Sequence, residues 1–342
     1  MAAGKVYLYP KVFQSENPYI NDLENALSEN FKIINKESNR NGVLDLFKYL
    51  PRSDIYYFNW IESLPSRRFG KVQIIVFIFF LMLAKSLRKK LIWTLHNKYA
   101  HDKVRNRWVD FMFRTMIKYS DLILTHSQAG IDFIKEEYPV YIKKIKYFVH
   151  PIKPLFRMTS DKSSLYDFFI WGTIWPYKGV IEFLKFLRES GNTRLFKILI
   201  AGRCINEQVK TGLGIYLSEN IIHRDEFFEM DEIANFANQS KFTLFTYKTE
   251  SVLSSGSLMD SIRMGSVIIG PNVGAFKDLK SYSFMQTYDS YEGIIDIFHN
   301  FNYDKDIITN EIKGFFNENS WDAFGAKLNN AITSNLTFNN EM

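Results

Sequence analysis

Short apolar runs alternate with segments of helical spacing along almost the whole chain. The apolar runs that predict strands are 6–9, 32–35, 55–58, 91–95, 122–125, 145–149, 168–171, 196–200, 221–223, 242–245 and 267–269. The segments that predict helices are 19–29, 43–49, 70–87, 104–119, 129–138, 178–189, 206–216, 231–239 and 255–264, with further helices after 291. Such alternation favours parallel sheets that are covered by helices on both faces.

A break in this alternation divides the chain. Residues 150–165 contain Pro151 and Pro154 and continue in a polar run, which indicates a linker. The pattern therefore predicts an α/β fold of two doubly wound, Rossmann-like domains, 1–152 and 153–319, that face each other across a cleft. Because ligands of open α/β sheets bind at the carboxyl ends of the strands, we expect the site along that cleft.

Composition limits the classes of function. The hydrophobic fraction of 46% over 342 residues argues against disorder and is enough for two domains. Cys204 is the single cysteine, so no disulfide can form within the chain, and a cytoplasmic location is expected. Residues 1–150 carry 24 Lys and Arg against 14 Asp and Glu. A basic half of this kind suits a phosphorylated substrate, anionic lipid or nucleic acid, although an ordinary solvated surface is the alternative.

An uncharged apolar run, 72–84, is flanked on both sides by cations. These are Arg67, Arg68, Lys71, Lys85, Arg88, Lys89 and Lys90. As a helix the run would be about 20 Å long, too short to cross a hydrocarbon core of about 30 Å. It predicts either a helix buried against the sheet or a helix that lies partly in a membrane interface, with its cations on anionic headgroups.

Two strand–turn–helix segments carry the strongest functional signal. One is 171–179, Trp-Gly-Thr-Ile-Trp-Pro-Tyr-Lys-Gly, and the other is 254–260, Ser-Ser-Gly-Ser-Leu-Met-Asp, which is followed by Gly265. A turn of small residues at a helix N-terminus presents unpaired backbone N–H groups and the positive end of the helix dipole, which suits an anion. Two such turns on one sheet, with Lys178 beside the first, indicate a diphosphate ligand such as a nucleotide or a nucleotide-sugar.

Four stretches, taken in order, resemble the GT-B glycosyltransferases, and more closely the retaining, family-4-like bacterial enzymes that build polysaccharides. They are 17–19 after the first strand, 92–97 at the end of the fourth strand, 172–179 and 254–265. The resemblance implies the GT-B fold, with a last helix within 320–342 that crosses back to the first domain. It also implies a hexosyltransferase that uses a nucleoside-diphosphate sugar as its substrate and needs no cofactor.

The resemblance assigns donor binding to the second domain. Lys178 matches the lysine that holds the donor diphosphate, and Asp260 matches the acid that hydrogen-bonds the ribose. The other positions that match donor-binding residues lie in the two turns: Gly172, Thr173, Ser254, Ser255, Gly256 and Ser257. In the second turn, the backbone amides of small residues are expected to cradle the distal phosphate.

Two positions depart from the family pattern. Thr173 stands where the family carries an arginine, so a second cation is expected from Arg203 or, as a second choice, Arg224. Val252 stands where the family carries an acid, and Glu250 is the expected replacement.

The resemblance also predicts acceptor-side residues in the first domain. His96 matches the histidine that contacts the transferred sugar, and we expect His96, Lys178 and Arg203 to be the catalytic residues. The other acceptor-side candidates are Asn17, Asn97, His101 and His126, with Asp102 beside them. Five aromatic residues are taken as exposed candidates to stack on sugars, with a core or rim position as the commoner alternative: Tyr56, Tyr57, Trp60, Trp175 and Tyr177.

Together these features predict a retaining transfer from a UDP- or GDP-sugar to a hydroxyl of a lipid-linked glycan. The reaction would serve capsule or other surface polysaccharide assembly, with the protein peripheral on the inner face of the cytoplasmic membrane. A nucleotide-sugar epimerase of the same fold and a non-catalytic polysaccharide-assembly partner are the alternatives. No metal is expected because no metal-ligand spacing is present. Nucleic acid is not an expected partner, because the cations are scattered over several elements and no recognition motif is present.

Overall fold

The computed structural model describes residues 4–10, 18–36, 42–97, 107–156, 164–248 and 253–337. The chain divides into two compact units. Unit 1 comprises the chain up to Val149 together with the residues from Trp321 onward, and unit 2 comprises His150–Ser320. Unit 1 is therefore discontinuous in sequence, whereas unit 2 is a single continuous segment.

Unit 1 contains a six-stranded sheet in which every pairing is parallel. Its strands are β1 (Lys5–Tyr9), β2 (Lys32–Ile33), β3 (Ile55–Asn59), β4 (Lys90–Leu95), β5 (Leu122–Thr125) and β6 (Ile145–Tyr147). The strand order is β2-β1-β3-β4-β5-β6. The chain therefore changes direction across the sheet between β1 and β3, which is where open α/β sheets bind ligands.

Helices flank this sheet and close its core. They are α1 (Tyr19–Ser28), α2 (Val43–Tyr49), α3 (Gly70–Ser86), α4 (Arg107–Tyr119), α5 (Gln128–Glu137) and, at the end of the chain, α13 (Trp321–Thr337). Val6 and Leu8 of β1 pack with Tyr57 of β3 and with Phe324 and Leu328 of α13 in one buried cluster. The last helix of the chain thus completes the core that the first strand begins.

Unit 2 also contains a six-stranded parallel sheet. Its strands are β7 (Tyr166–Trp171), β8 (Ile198–Ala201), β9 (Ile221–Arg224), β10 (Ser240–Leu244), β11 (Ile268–Pro271) and β12 (Met285–Tyr288). The strand order is β12-β11-β10-β7-β8-β9. The chain builds outward from β7 to β9, returns to the centre and builds outward again from β10, so the switch point lies between β7 and β10.

The helices of unit 2 connect these strands. They are α6 (Val180–Glu189), α7 (Glu207–Gly214), α8 (Met230–Asn238), α9 (Gly256–Arg263), α10 (Gly274–Asp278), α11 (Tyr291–Asn300) and α12 (Lys305–Asn319). Parallel strands require such crossover connections, because a short hairpin can join only antiparallel neighbours. The two predicted Rossmann-like sheets are confirmed.

Several elements of unit 2 depart from the sequence prediction, and the short helix α10 is one that was not predicted. β12 was not predicted, because its Met-Gln-Thr-Tyr sequence lacks a continuous apolar run and it lies at the edge of the sheet, with its two middle residues only partly buried. The helix predicted at 178–189 begins instead at Val180, since Pro176–Lys178 form a 3-10 turn and Gly179 adopts a left-handed conformation with φ of +69°.

The apolar run 72–84 forms most of α3. Ile74, Phe77 and Phe80 are fully buried on one side of this helix, whereas other apolar side chains of the same helix are exposed. In the part of the chain that the structure describes, no helix has both the length and the apolar character needed to cross a membrane.

A buried carboxyl group lies beneath β4. Glu62 sits in the 3-10 turn Ile61–Ser66 that follows β3, and its Oε2 accepts a hydrogen bond of 3.2 Å from Trp93 Nε1. Burial raises the pKa of the Glu62 carboxyl to about 7, although the hydrogen bond from Trp93 partly offsets the effect. The folded protein therefore binds this proton more tightly than the unfolded chain does.

This proton predicts a pH-dependent stability. Because the pKa of Glu62 is raised, its contribution is fully present below about pH 4.5 and is lost as the pH rises through about 7, a change on the order of 3 kcal/mol. Glu62→Gln stays neutral at every pH. Urea unfolding should show equal stability of wild type and variant near pH 4 and a more stable variant near pH 8. A constant difference between the two proteins over this pH range would contradict the assignment.

Candidate active site

The turn after β7 is held by two glycines. Gly172 has φ of +82° and Gly179 has φ of +69°, conformations that residues with a side chain rarely adopt. A Cβ atom on Gly179 would overlap the carbonyl oxygen of Thr246, and one on Gly172 would lie 3.1 Å from Lys178 Nζ. The backbone of this turn therefore lies against the loop that follows β10, and the ammonium group of Lys178 lies over Gly172.

Lys178 is a buried cation. Its side chain is 6% exposed, and its Nζ donates a hydrogen bond of 3.2 Å to the carbonyl oxygen of Trp171. It forms no ion pair with a carboxylate of the described residues. Burial lowers the pKa of its ammonium group to about 8. A cation that is desolvated without a countercharge is stabilised by any anion that reaches it.

The second turn lies at the N-terminus of α9. Ser255 caps the helix, since its hydroxyl accepts the N–H of Leu258 at 3.4 Å. The hydroxyl oxygen of Ser254 is buried and has no hydrogen-bond partner within the described ranges. Gly256 is exposed, and Ser257 is partly buried. A buried hydroxyl that lacks a partner beside a helix N-terminus fits a site for a polar, anionic ligand.

Trp171, a residue that the sequence analysis did not select, joins the two turns. Its carbonyl oxygen accepts the hydrogen bond of Lys178, and its indole Nε1 donates to Ser261 Oγ of α9 at 3.0 Å. The lysine and the α9 helix therefore contact the same residue at the end of β7, one through its backbone and the other through its side chain. An indole donor at a strand end facing a serine-rich helix is the sequence signal that would have identified it.

The loop after β10 provides a second connection. Thr246 Oγ1 donates a hydrogen bond of 2.6 Å to the carbonyl oxygen of Lys178, and Tyr247 packs edge-on against Tyr177 with ring centroids 6.0 Å apart. Burial raises the pKa of the Tyr247 hydroxyl, whose hydrogen-bond partners include the side chains of Ser255 and Ser257. These two residues were also missed by sequence analysis, although the strand-end rule applied to β10 would have selected them.

Asp260 lies on α9 and is held by a neighbouring cation. Its Oδ1 accepts a hydrogen bond of 2.8 Å from Arg263 Nε, and the guanidinium group of Arg263 lies 4.4 Å from the ring centroid of Phe156. Both partners are only partly exposed. Asp260 is thus an oriented carboxylate at the same helix as the serine turn.

Arg203 lies directly across the sheet edge from Thr173. The register pairs Trp171 with Ala201, and the bridge pairs Ile174 with Cys204, which places 173 opposite 203. Thr173 and Arg203 are both exposed. Arg224 is also exposed, but its guanidinium group lies over the ring of Phe236 at 5.1 Å. The register therefore favours Arg203 as the cation nearest the place where the family arginine is missing.

A cluster beyond Arg203 brings together Cys204, His223 and Asp225, whose potential ligand atoms lie within 4.8 Å of one another. Two of the three side chains already have hydrogen-bond partners in the folded protein. Asp225 accepts the N–H of Cys204 and a Lys210 ammonium proton, each at 2.8 Å, and His223 Nε2 donates to Gly202 O at 2.9 Å. Burial and the adjacent Asp225 raise the pKa of the Cys204 thiol to about 11, so this thiol is protonated near neutral pH.

In unit 1, His96 follows β4 directly and is buried among polar and aromatic groups. Its Nε2 lies 3.1 Å from Asn59 Oδ1, so this nitrogen donates, and its ring stacks on Trp60 with centroids 4.3 Å apart. Asn59 in turn donates to the carbonyl oxygen of Tyr9 at 3.3 Å. The residues that end β1, β3 and β4 therefore fix the orientation of His96.

His126 follows β5 and has both ring nitrogens engaged. Nδ1 donates to the carbonyl oxygen of Phe148 at 2.9 Å, so Nε2 accepts the hydroxyl proton of Tyr19 at 2.8 Å. His126 is 1% exposed. In this conformation it positions Tyr19, whose ring packs edge-on against His96 at 4.9 Å.

The remaining predicted residues have different outcomes. Tyr56 and Tyr57 are fully buried, so the expectation that they are exposed to sugars is wrong; their side chains fill the core because β3 is a central strand of the unit 1 sheet. Trp175 is exposed, as expected, and Asn97 is partly exposed. The other residues named from the sequence lie outside the described residues: Asn17, His101, Asp102, Glu250 and Val252.

Solved structures share this arrangement of elements. Anabaena Alr3699/HepE in complex with UDP and glucose has a TM-score of 0.67 at 11% identity, with 97% of this chain and 100% of that chain covered. The lipopolysaccharide outer core galactosyltransferase WaaB in its apo form has a TM-score of 0.66 at 14% identity over 96% and 99%. A glycosyltransferase from Rickettsia africae ESF-5 has a TM-score of 0.59 at 14% identity over 95% and 84%.

These similarities are found at the level of structure. No family model matches the sequence, and no curated protein matches it. At such identities the likeness establishes the fold. The chain has the GT-B fold, with two Rossmann-like domains built on six-stranded parallel sheets.

Proposed function

We propose that this protein is a glycosyltransferase that moves a sugar from a UDP- or GDP-sugar to a hydroxyl of a lipid-linked glycan in surface polysaccharide assembly, with retention of anomeric configuration. The observation that carries the proposal is Lys178, a buried cation at the switch point of a Rossmann-like sheet, which pairs with no carboxylate in the described part of the chain. HepE binds UDP, UDP-glucose and glucose in its crystal structures, and WaaB is a galactosyltransferase. The ligands of HepE and the activity of WaaB are both consistent with sugar transfer from a nucleotide-sugar.

The donor diphosphate is assigned to the two turns of unit 2. The N-terminus of α9 offers backbone N–H groups and the Ser254 hydroxyl to the distal phosphate. Lys178 neutralises the same diphosphate from the β7 side, and Trp171 keeps the lysine and α9 in register. Asp260, oriented by Arg263, accepts hydrogen bonds from the ribose hydroxyls.

Arg203 provides the second cation of the diphosphate site. The strand register places it opposite Thr173, where the resembling family carries an arginine. A guanidinium group that reaches the same space from the adjacent strand replaces the missing charge. Its planar donors suit a diphosphate, whose oxygens accept two parallel hydrogen bonds.

The reaction breaks the bond between the anomeric carbon and the diphosphate oxygen, and the electron pair leaves with the diphosphate. The acceptor oxygen forms its new bond on the same face of the sugar, and its proton passes to the departing phosphate. Lys178, Arg203 and the α9 amides stabilise the charge that grows on the leaving group. These groups supply the positive charge, so we propose that the reaction proceeds without a metal.

Unit 1 is assigned the acceptor side. His96 is held by Asn59, Trp60 and Tyr19, which makes it a positioned hydrogen-bonding group at the end of a strand. Asn97 follows it in the chain. We assign His96 to contact with the transferred sugar, and His126 acts through Tyr19 to hold it in place.

Nucleotide binding should depend on Lys178. A nucleoside diphosphate at about 100 times its dissociation constant adds about 2.7 kcal/mol, which corresponds to a rise in melting temperature of about 4 °C for a chain of this length. Lys178→Met should remove this rise while leaving the ligand-free melting temperature unchanged or higher, because an uncompensated buried charge is gone. A thermal-shift panel of UDP, GDP, ADP and CDP measures both effects.

Lys185→Met is the matched control, because Lys185 lies on α6 and pairs at the surface with Glu189. It should retain the full response to nucleotide. A response that survives in Lys178→Met, or one that disappears equally in Lys185→Met, would exclude the proposed role of Lys178.

The affinity for a nucleoside diphosphate should also depend on pH. Since the pKa of Lys178 is about 8 in the free protein, its ammonium group is fully charged near pH 7 and loses its proton as the pH rises. Affinity should be level near pH 7 and then fall by about tenfold per pH unit above about pH 8, until it levels off at the higher pKa of the complex. Titration calorimetry of UDP or GDP measures this, and Lys178→Met should show a level profile.

Turnover is the direct test of the function. Purified protein with UDP- and GDP-sugars should release the nucleotide faster when a glycan acceptor is added, in the presence of EDTA as well as in its absence. Lys178→Met should lower kcat/KM by about 100-fold or more. Proton NMR of the product should show the anomeric configuration of the donor. Nucleotide binding without turnover would favour the non-catalytic assembly partner instead, and an inverted product would exclude retention.

A further inference from the structure

The outer face of α3 is apolar and exposed to solvent. Val72, Ile75, Phe79 and Met82 are 60%, 66%, 56% and 49% exposed. Their spacing places all four within one narrow arc of the helix, since residues three, seven and ten positions apart share a face. The opposite arc carries the core residues Ile74, Phe77 and Phe80. α3 is thus apolar on two faces, of which unit 1 covers only one.

Neighbouring elements extend this face into a patch, which we call the α3 surface. Phe79 stacks on Phe47 of α2 with centroids 6.1 Å apart, and Lys71 lies 5.9 Å from the ring centroid of Trp108 on α4. The exposed large side chains that these elements add are Leu44, Phe69, Trp108 and Phe111. An apolar surface of this extent is uncommon on a protein that has no partner.

The edge of the α3 surface is basic. The exposed cations on α2, α3 and α4 are Lys48, Lys71, Arg107, Arg114 and Lys118, and Arg68 and Arg88 lie exposed in the loops on either side of α3. The acidic residues on the same three helices are Asp45, which is buried and accepts a hydrogen bond from Tyr7 at 3.1 Å, and Asp110, which is partly buried. The apolar centre is therefore surrounded by positive charge, and its partner must be negatively charged.

We propose that the α3 surface docks this protein on an anionic lipid bilayer. A helix of 17 residues is about 25 Å long, and lying in the plane of the membrane it would place its apolar side chains about 5–10 Å into the headgroup region. The surrounding cations then lie at the level of the anionic headgroups. A lipid-linked acceptor requires the protein to reach a bilayer, and to that extent the inference rests on the proposed function.

Charge excludes a second copy of the chain as the favoured occupant. A symmetric dimer through the α3 surface would bring the same cations of both copies together, because the two copies contribute the same patch. Like charges opposed across an apolar contact destabilise it. Anionic headgroups instead neutralise them, and the acyl chains receive the apolar side chains.

Vesicle sedimentation tests the proposal on the full chain without nucleotide. The protein should bind vesicles that contain phosphatidylglycerol, bind pure phosphatidylcholine vesicles much more weakly, and dissociate as salt is raised. The double variant Ile75→Ser and Phe79→Ser should bind these vesicles with an affinity that is lower by at least about tenfold. Arg68→Gln and Lys71→Gln should each lower the affinity by about fivefold. Because all four side chains are surface residues, the variants should fold normally.

The control is the double variant Val140→Ser and Phe227→Ser, which removes exposed apolar side chains of 87% and 69% exposure outside the α3 surface. It should bind vesicles like the wild type. Undiminished binding by the Ile75/Phe79 variant would overturn the proposal, as would a wild-type dimer in sedimentation velocity that this variant converts to a monomer. Thermal shifts with nucleotide should be the same in all these proteins, so a failure of membrane docking is distinguishable from a failure of the donor site.

Discussion

The position of β7 between β8 and β10 is the constraint on which the site in unit 2 depends. All pairings are parallel, so the loops after β7, β8 and β10 leave the sheet at one edge. The connection from β7 runs to β8, and the connection from β10 runs to β11 on the other side. The loops after β7 and β10 therefore meet without a crossover helix between them. Gly179 allows the closest part of this approach, because a side chain there would overlap the Thr246 carbonyl oxygen.

This geometry gives Lys178 its unusual environment. The 3-10 turn and the left-handed Gly179 direct the lysine back over Gly172, where its ammonium group has a carbonyl oxygen but no carboxylate among the described residues. Burying a charge in this way costs stability in the free protein, and that cost is recovered only when an anion binds. The Ser254 hydroxyl is likewise a buried polar group, and it has no hydrogen-bond partner among the described residues. Both groups are therefore what the proposed diphosphate site requires: polar atoms that are buried in the free protein and that a bound anion would satisfy.

Much of the fold could be predicted from the sequence, because buried parallel strands such as β5 and β8 are continuous apolar runs. β12 could not, since an edge strand that is half polar lacks that signal. Lys178 and the serine turn could be selected from the sequence because glycine and serine residues are typical of turns, and Lys178 lies in such a turn. Trp171, Thr246 and Tyr247 were missed because their importance arises from contacts between distant segments, which no local pattern records. The exposure of Tyr56 and Tyr57 was predicted wrongly for a related reason. The identity of an aromatic residue does not distinguish a position in a core from a position in a sugar-binding site.

Tyr19 connects the two ends of the chain. It bonds His126, packs against His96 and Trp60, and meets Trp321 of α13 with ring centroids 5.4 Å apart. The core of unit 1 also includes Phe324, Leu328 and Ile332 of that last helix. During synthesis, unit 2 is complete once Ser320 has emerged, whereas unit 1 lacks part of its core until the final helix appears. The sheet of unit 2 can therefore fold first, and the orientation of His96 is settled only after α13 has been made.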